Sequence, residues 1–400
     1  DGAMMRLEDA CELIVDCPHS TARDEGKGFP LIRTPNIGRG RFLLENVHRV
    51  SESVYNKRNA RAVPKDDDII LAREAPAGNV AIIKNGVKMC LGQRTVLLRP
   101  NKEVVNPDFL TYFLLAPEQQ YGLLGTANGA TVAHVNIPTI RNLKIKLPPL
   151  KTQERIGKIL SAYDDLIENN QRQIKLLEEA VQRLYKEWFV DLRFPGHENT
   201  KITDGIPEGW RMAVLSEIAS VNKESISKQY PYDYVDYIDI GAVSKGQINS
   251  VTRLSTKDAP GRAKRIAFDG DVLWGMVRPN LKSYALVFHP KETSVFSTGF
   301  AILHAEKVPF SFLYCHVTQD EFVSYLINCT NGAAYPAVKP SHFENAVLLV
   351  PTDMVLSKFH SLVGQMFRQA EILEQKNQQA IEARDRLLPK LMSGEIEVEK

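Results

Sequence analysis

The sequence predicts a mixed α/β (α+β) protein made of two tandem-repeated globular domains joined by two long antiparallel coiled-coil helices. Three observations predict it. The first is length: 400 residues exceed one core and fit two domains of roughly 100 to 200 residues each. The second is an internal repeat. Asp68-Ile69-Ile70 matches Asp271-Val272-Leu273, Ile37-Gly38 matches Ile240-Gly241, Phe109-Leu110 matches Phe312-Leu313, and Asn128-Gly129-Ala130 matches Asn331-Gly332-Ala333, all displaced by 203 residues. A register held without a gap over so long a stretch reads as a tandem duplication. The third is a pair of heptad-patterned stretches, one after each copy.

The first copy is expected over residues 5–149. Its β-rich runs are "DIILA" (68–72), "VAIIK" (80–84), "TVLL" (95–98) and "LKIKL" (143–147), with one helix over 107–124. A long helix follows over 150–193, entered through Pro148-Pro149, because proline suits a first helical turn. Its apolar seam reads Leu160, Tyr163, Ile167, Asn170, Ile174, Leu177, Val181, Leu184 and Trp188, in alternating steps of three and four. A linker rich in Gly, Pro and Asn spans 194–209. The second copy covers 210–351, with "DVLWGMV", "SYALVF", "FAILH" and "AVLLV" as counterpart strands. The closing helix, 352–394, carries the seam Val363, Met366, Ala370, Leu373, Asn377, Ala380, Arg384, Leu387 and Leu391. The linker is short against a helix of about 40 residues, roughly 60 Å at 1.5 Å each, so the second helix must run back along the first. The expected arrangement has an approximate two-fold relation between the copies. Asn170 and Asn377 are polar seam positions, which fits either control of register or a wet edge.

Composition narrows the class. With 44% hydrophobic and 24% charged residues the chain reads as an ordinary folded protein. No apolar run approaches the roughly 20 residues that span a bilayer, and no signal segment is recognisable, so a soluble, cytoplasmic protein is expected. Asp1-Gly2-Ala3 ahead of Met4 reads as an expression remnant. Five cysteines without a CxxC pair argue against a disulfide framework or a zinc ribbon. The net charge is only +2, yet between Arg23 and Lys65 ten basic residues face four acidic ones, a local excess suited to an anionic partner.

Catalytic signatures are missing from the sequence. It contains no phosphate-binding glycine loop, no HExxH and no Asn-Pro-Pro-aromatic tetrad of the amino-methyltransferase kind. Asp66-Asp67-Asp68 reads as turn chemistry rather than a metal cluster. No metal site and no cofactor of the chain's own are expected. What remains is basic and amide side chains in corresponding loops of both copies. In the first they are Arg39 and Arg41 of "GRGRF", Arg58, Arg61, Arg73, Arg94, and Thr131, His134 and Asn136 of "NGATVAHVN". In the second they are Arg262, Lys264 and Arg265 of "GRAKR", Arg278, Asn280 and Lys282 of "RPNLK", and Tyr335 and Lys339 of "NGAAYPAVK". Arginine and lysine suit phosphates and guanine edges, asparagine suits adenine, and threonine can touch a thymine methyl. Each cluster reads equally well as ordinary surface or as a contact to double-stranded DNA.

The two-copy layout, the "PPLKTQERIGKIL" start of a helix ending "LYKEWFVDLRFPG", the "IPEGWRMAVLSEIA" lead-in and the closing "RDRLLPKLMSGEI" together resemble the specificity subunit of type I restriction-modification enzymes. The resemblance covers essentially the whole chain, although the first copy starts "MMRLEDACELI" without a Pro-x-Gly-Trp lead-in. It implies that each globular unit is a target recognition domain reading half of a split DNA sequence. It also implies that the helices set the spacing and dock two modification subunits, with restriction subunits in the full complex. On that reading Ile167, Asn170, Ile174, Leu177, Val181, Leu184, Trp188, Leu373, Asn377 and Leu387 form the spacer and docking set. The resemblance further implies that S-adenosylmethionine belongs to the partner, leaving this chain a non-catalytic component of an adenine-N6 methylating complex. A DNA-binding coiled-coil scaffold and the recognition part of a fused restriction-methyltransferase are the rival readings.

Overall fold

The computed structural model describes residues 4–125, 134–330 and 336–398. The chain divides into two units, Asp1–Gln171 with Gln375–Lys400, and Arg172–Glu374. Each unit contains one globular copy and a portion of both long helices. No described helix is long and apolar enough to cross a membrane.

In the first unit a four-stranded antiparallel sheet runs in the order Cys11–Asp16, Thr95–Pro100, Ile69–Ala72, Val80–Ile82. In the second unit the order is Ala219–Val221, Phe300–Ala305, Val272–Gly275, Tyr284–Leu286. The strands Ile69–Ala72 and Val272–Gly275 are buried at every position, which explains their unbroken apolar runs. A second sheet also recurs. Phe29–Ile32 pairs antiparallel with His48–Val50 and parallel with Cys90–Leu91, just as Tyr234–Ile238 pairs with Thr252–Ser255 and Ser294–Ser297. The second copy extends this sheet with Ala263–Ile266 and Glu224–Ser225.

Two expectations need correction. The repeat register is not gapless: Ile69 faces Leu98, but its counterpart Val272 faces Leu303, so these sheet partners are displaced by 203 and 205 residues. Connections between strands tolerate such insertions, and the helices Pro107–Leu115 and Phe310–Val317 restore the original displacement. The helix expected over 107–124 is also two helices, Pro107–Leu115 and Pro117–Leu124. Pro117 has no N–H to continue the first helix but suits the first turn of the next.

The long helices run Leu150–Tyr185 and Asp353–Ser393. A π-helical turn over Lys186–Val190 follows the first and turns Trp188 into the second core, beside Phe359. Every expected seam residue is buried or half-buried. Within the first unit the pairing is antiparallel, since Asp164 meets Arg384 and Asn170, six residues on, meets Asn377. Asn170 Nδ2 donates to Asn377 Oδ1 at 2.9 Å. Both residues are only 3% exposed, so the wet-edge reading fails. The ends of the helices enter the domain cores: Ile156, Leu160, Leu388 and Leu391 pack with Phe109, Leu110 and Leu143 in the first unit. In the second, Val181, Tyr185, Phe359 and Phe367 pack with Trp274, Phe312 and Phe343. Truncating one such leucine to alanine costs about 2 to 5 kcal/mol.

Candidate nucleic-acid interface

The two copies build one backbone clasp at the same place. At the end of the buried central strand, Arg73 N donates to Arg94 O at 2.8 Å, and Arg73 O accepts from Val135 N at 2.9 Å. In the second copy Met276 N donates to Gly299 O at 2.9 Å, and Met276 O accepts from Val338 N at 2.9 Å. Each clasp joins the central strand to the described segment that comes after the Asn-Gly-Ala sequence of its copy. The backbone is repeated, while the side chains it carries are not.

Around the first clasp the side chains are charged. The Arg73 guanidinium lies 3.2 Å from Asp16 Oδ1 and 3.1 Å from His134 Nε2, and donates to Val135 O at 2.8 Å. His134 Nδ1 is 2.5 Å from Glu74 Oε1, and Arg94 pairs with the same carboxylate at 2.8 Å. Arg61 donates to the Asp16 carbonyl at 3.4 Å. The structure thus gathers Arg61, Arg73, Arg94 and His134 into one network. Arg94, 60% exposed, and His134, 44% exposed, present its outer face. Asn136 is exposed, but its Oδ1 accepts from Thr139 N at 2.8 Å, capping the helix Ile137–Asn142.

Around the second clasp the chemistry differs. Val277 bridges Ala337, and Arg278 N donates to Pro336 O at 2.8 Å. This sets the turn Arg278–Lys282 beside the segment leading to Lys339. Arg278, Asn280 and Lys339 are exposed, while Lys282 pairs with Asp320 at 2.7 Å. Arg278 and Lys282 both adopt left-handed backbone, sparsely populated for such residues. Arg262 and Lys264 are exposed and Arg265 is half-buried at the Ala263–Ile266 strand. Thr131 and Tyr335 lie outside the described residues.

Several expected contacts are placed elsewhere. Arg58 is 7% exposed and donates to Leu91 O at 2.7 Å and Ser20 O at 3.0 Å. It serves the fold of the loop, because a buried guanidinium needs its donors satisfied internally. Arg41 is turned inward, with Asp165 at 2.9 Å, Glu168 at 3.6 Å and Asp164 at 3.9 Å. Arg73, 11% exposed, supports the surface rather than forming it. Arg39 stays exposed, its guanidinium 3.5 Å from Leu115 O. The Asp66–Asp68 run does turn and ion-pair work: Asp66 accepts from Gly86 N, Asp67 pairs with Lys84 and Lys102, and Asp68 with Arg99. Among the described residues no group of three or more His, Cys, Asp or Glu is arranged to hold a metal.

Sequence reasoning missed Arg253, which lies 4.2 Å over the Tyr234 ring. Its hydrogen bond to Asp236 at 2.9 Å is the main cause holding that carboxyl below its ordinary pKa. It also missed Asp16 and Glu74, the acids that fix the first basic cluster. The carboxylates carry no motif, and Arg253 lies on the strand Thr252–Ser255 rather than in one of the loops the repeat singled out.

Residues 2–179 match the family model for the type I restriction modification DNA specificity domain. Similarity to type I restriction enzyme specificity subunits runs the whole length of the chain. It is 27% identical to the type I restriction enzyme MjaIX specificity subunit of Methanocaldococcus jannaschii, over all of this chain and 94% of the relative. It is 20% identical to the type I restriction enzyme HindI specificity subunit of Haemophilus influenzae, over 91% of this chain and 94% of the relative. A crystal structure of a type I restriction-modification system S subunit from M. genitalium superposes with a TM-score of 0.57 at 14% identity, covering 98% of this chain and 96% of that one. The fold is shared.

Proposed function

We propose that this chain is the DNA sequence-recognition subunit of a type I restriction-modification complex, each globular domain reading one half of a bipartite target. The observation that carries this reading is the duplicated clasp. Its backbone is the same in both copies, whereas Arg73, Arg94 and His134 give way to Met276, Gly299 and Ala337. A scaffold held constant beneath changing polar groups is what reading two different sequences requires, since base edges are told apart by side-chain donors and acceptors. The helix pair sets the spacing of the half-sites and docks two modification subunits, which bind S-adenosylmethionine and transfer the methyl group; restriction subunits complete the assembly. Replacing residues 5–148 with the recognition domain of a relative tests the reading. One half of the methylated sequence should change and the other persist. If both halves change, the two domains do not read independently.

A further inference from the structure

Asp164 sits 3% exposed on the central helix, where three elements meet. Its Oδ2 accepts from the Tyr112 hydroxyl of the Pro107–Leu115 helix at 2.5 Å, and its Oδ1 accepts from Arg384 Nη1 of the closing helix at 2.5 Å. Arg41, from the loop Gly38–Phe42, approaches the same carboxylate at 3.9 Å and fixes itself on Asp165 at 2.9 Å. Gly40 presses onto the carboxylate as well. Its φ is +102°, and a Cβ there would stand 2.5 Å from Asp164 Oδ2 and 3.2 Å from Tyr112 Cε1. The loop is held on its other side by Gly40 N donating to Val80 O at 2.8 Å and Ile82 N donating to Gly40 O at 3.2 Å. Arg39, the exposed basic residue of this loop, therefore has its backbone set by Asp164 on one side and the core sheet on the other.

The second copy does not place its acid at the same helix position. The displacement of 203 carries Asp164 onto Phe367 and Arg384 onto Val181, and both of those pack in the apolar core of the second unit. The second copy's loop glycine with the same backbone bond, Gly246 N donating to Tyr284 O at 2.8 Å, faces the Tyr314 hydroxyl and the Glu178 carboxylate instead, 3.5 and 3.9 Å from where its Cβ would stand. A buried ion pair is a weak source of net stability compared with well-packed apolar residues, but its geometry is directional. In the first copy the directional ion pair sits where the loop meets the helices.

We propose that Asp164 is a positioning residue for DNA reading by the first domain: by holding Tyr112, Arg41 and Arg384 together, it fixes the Gly38–Phe42 loop and Arg39 against the helix pair. The proposal rests on the DNA-reading function above. Its test uses the full chain with its modification subunit, carrying Tyr112→Phe, Arg41→Lys or Asp164→Asn. Methylation is measured on the wild-type target and on targets with single base changes in each half. Wild-type discrimination, on the order of ten- to a hundredfold per base pair, should fall several-fold in the half assigned to the first domain by the domain exchange. It should stay unchanged in the other half. Tyr112→Phe removes one hydroxyl, so it keeps the test decisive if Asp164→Asn fails to fold. Equal losses in both halves, or no loss in folded variants, overturn the proposal. Failure of the wild-type complex to discriminate in either half would instead sink the DNA-reading function.

Discussion

His316 shows what burial does to a single side chain. Its ring packs between Phe312 and Phe322, with Nδ1 3.0 Å from the Tyr185 hydroxyl. Burial pushes its pKa down to about 4, so it is neutral in the folded chain at pH 7. Unfolded histidine titrates near 6.5. Between those values the unfolded state binds the extra proton, so this residue's contribution to stability is present above about pH 6.5 and is lost as pH falls toward 4. At pH 5 the loss is about 2 kcal/mol, from roughly 1.4 kcal/mol per pKa unit. Urea unfolding at pH 7 and pH 5 should show wild type losing about that much more than His316→Phe; equal losses would refute the account. None of this was legible in the sequence, where His316 is one of nine scattered histidines. Arg41 and Arg58 mislead in the same way: sequence gives the side chain's chemistry but not its depth, and both spend their donors inside the protein.

The long helices were the most legible elements because heptad spacing is local and burial follows it directly. Their seam residues lie buried or half-buried as the spacing requires. Proline-broken helices and a two-residue slip between strands were less legible, since a loop insertion leaves the flanking matches intact. The seam also predicts how the helix pair acts as a spacer. Inserting four residues near Gln173, with a matched insertion near Lys376, adds about 6 Å to the helix pair. The unread gap between half-sites should then grow by roughly one or two base pairs, at about 3.4 Å each. The single insertion breaks the Asn170–Asn377 register, and the matched one should restore thermal stability. An active double-insertion complex that keeps the original gap would reduce the helix pair to a docking surface.

The whole molecule carries one plan twice, which is why its architecture could be read from residue displacements alone. The surface that would read DNA could not, because it consists of the positions at which the copies differ. Arg94 and His134 belong to a charged network in one copy, whereas Arg278 and Asn280 crown a strained turn in the other. The central claim is that this chain supplies sequence recognition in two separate parts and leaves methyl transfer to a partner. The direct measurement is base-resolved methylation of random-sequence DNA by the chain with its modification subunit, beside the chain alone with S-adenosylmethionine. The account predicts adenine methylation in one interrupted motif, two specified blocks around a fixed unspecified gap, and no transfer by the chain alone. A single continuous motif, or methylation by the chain alone, would contradict it.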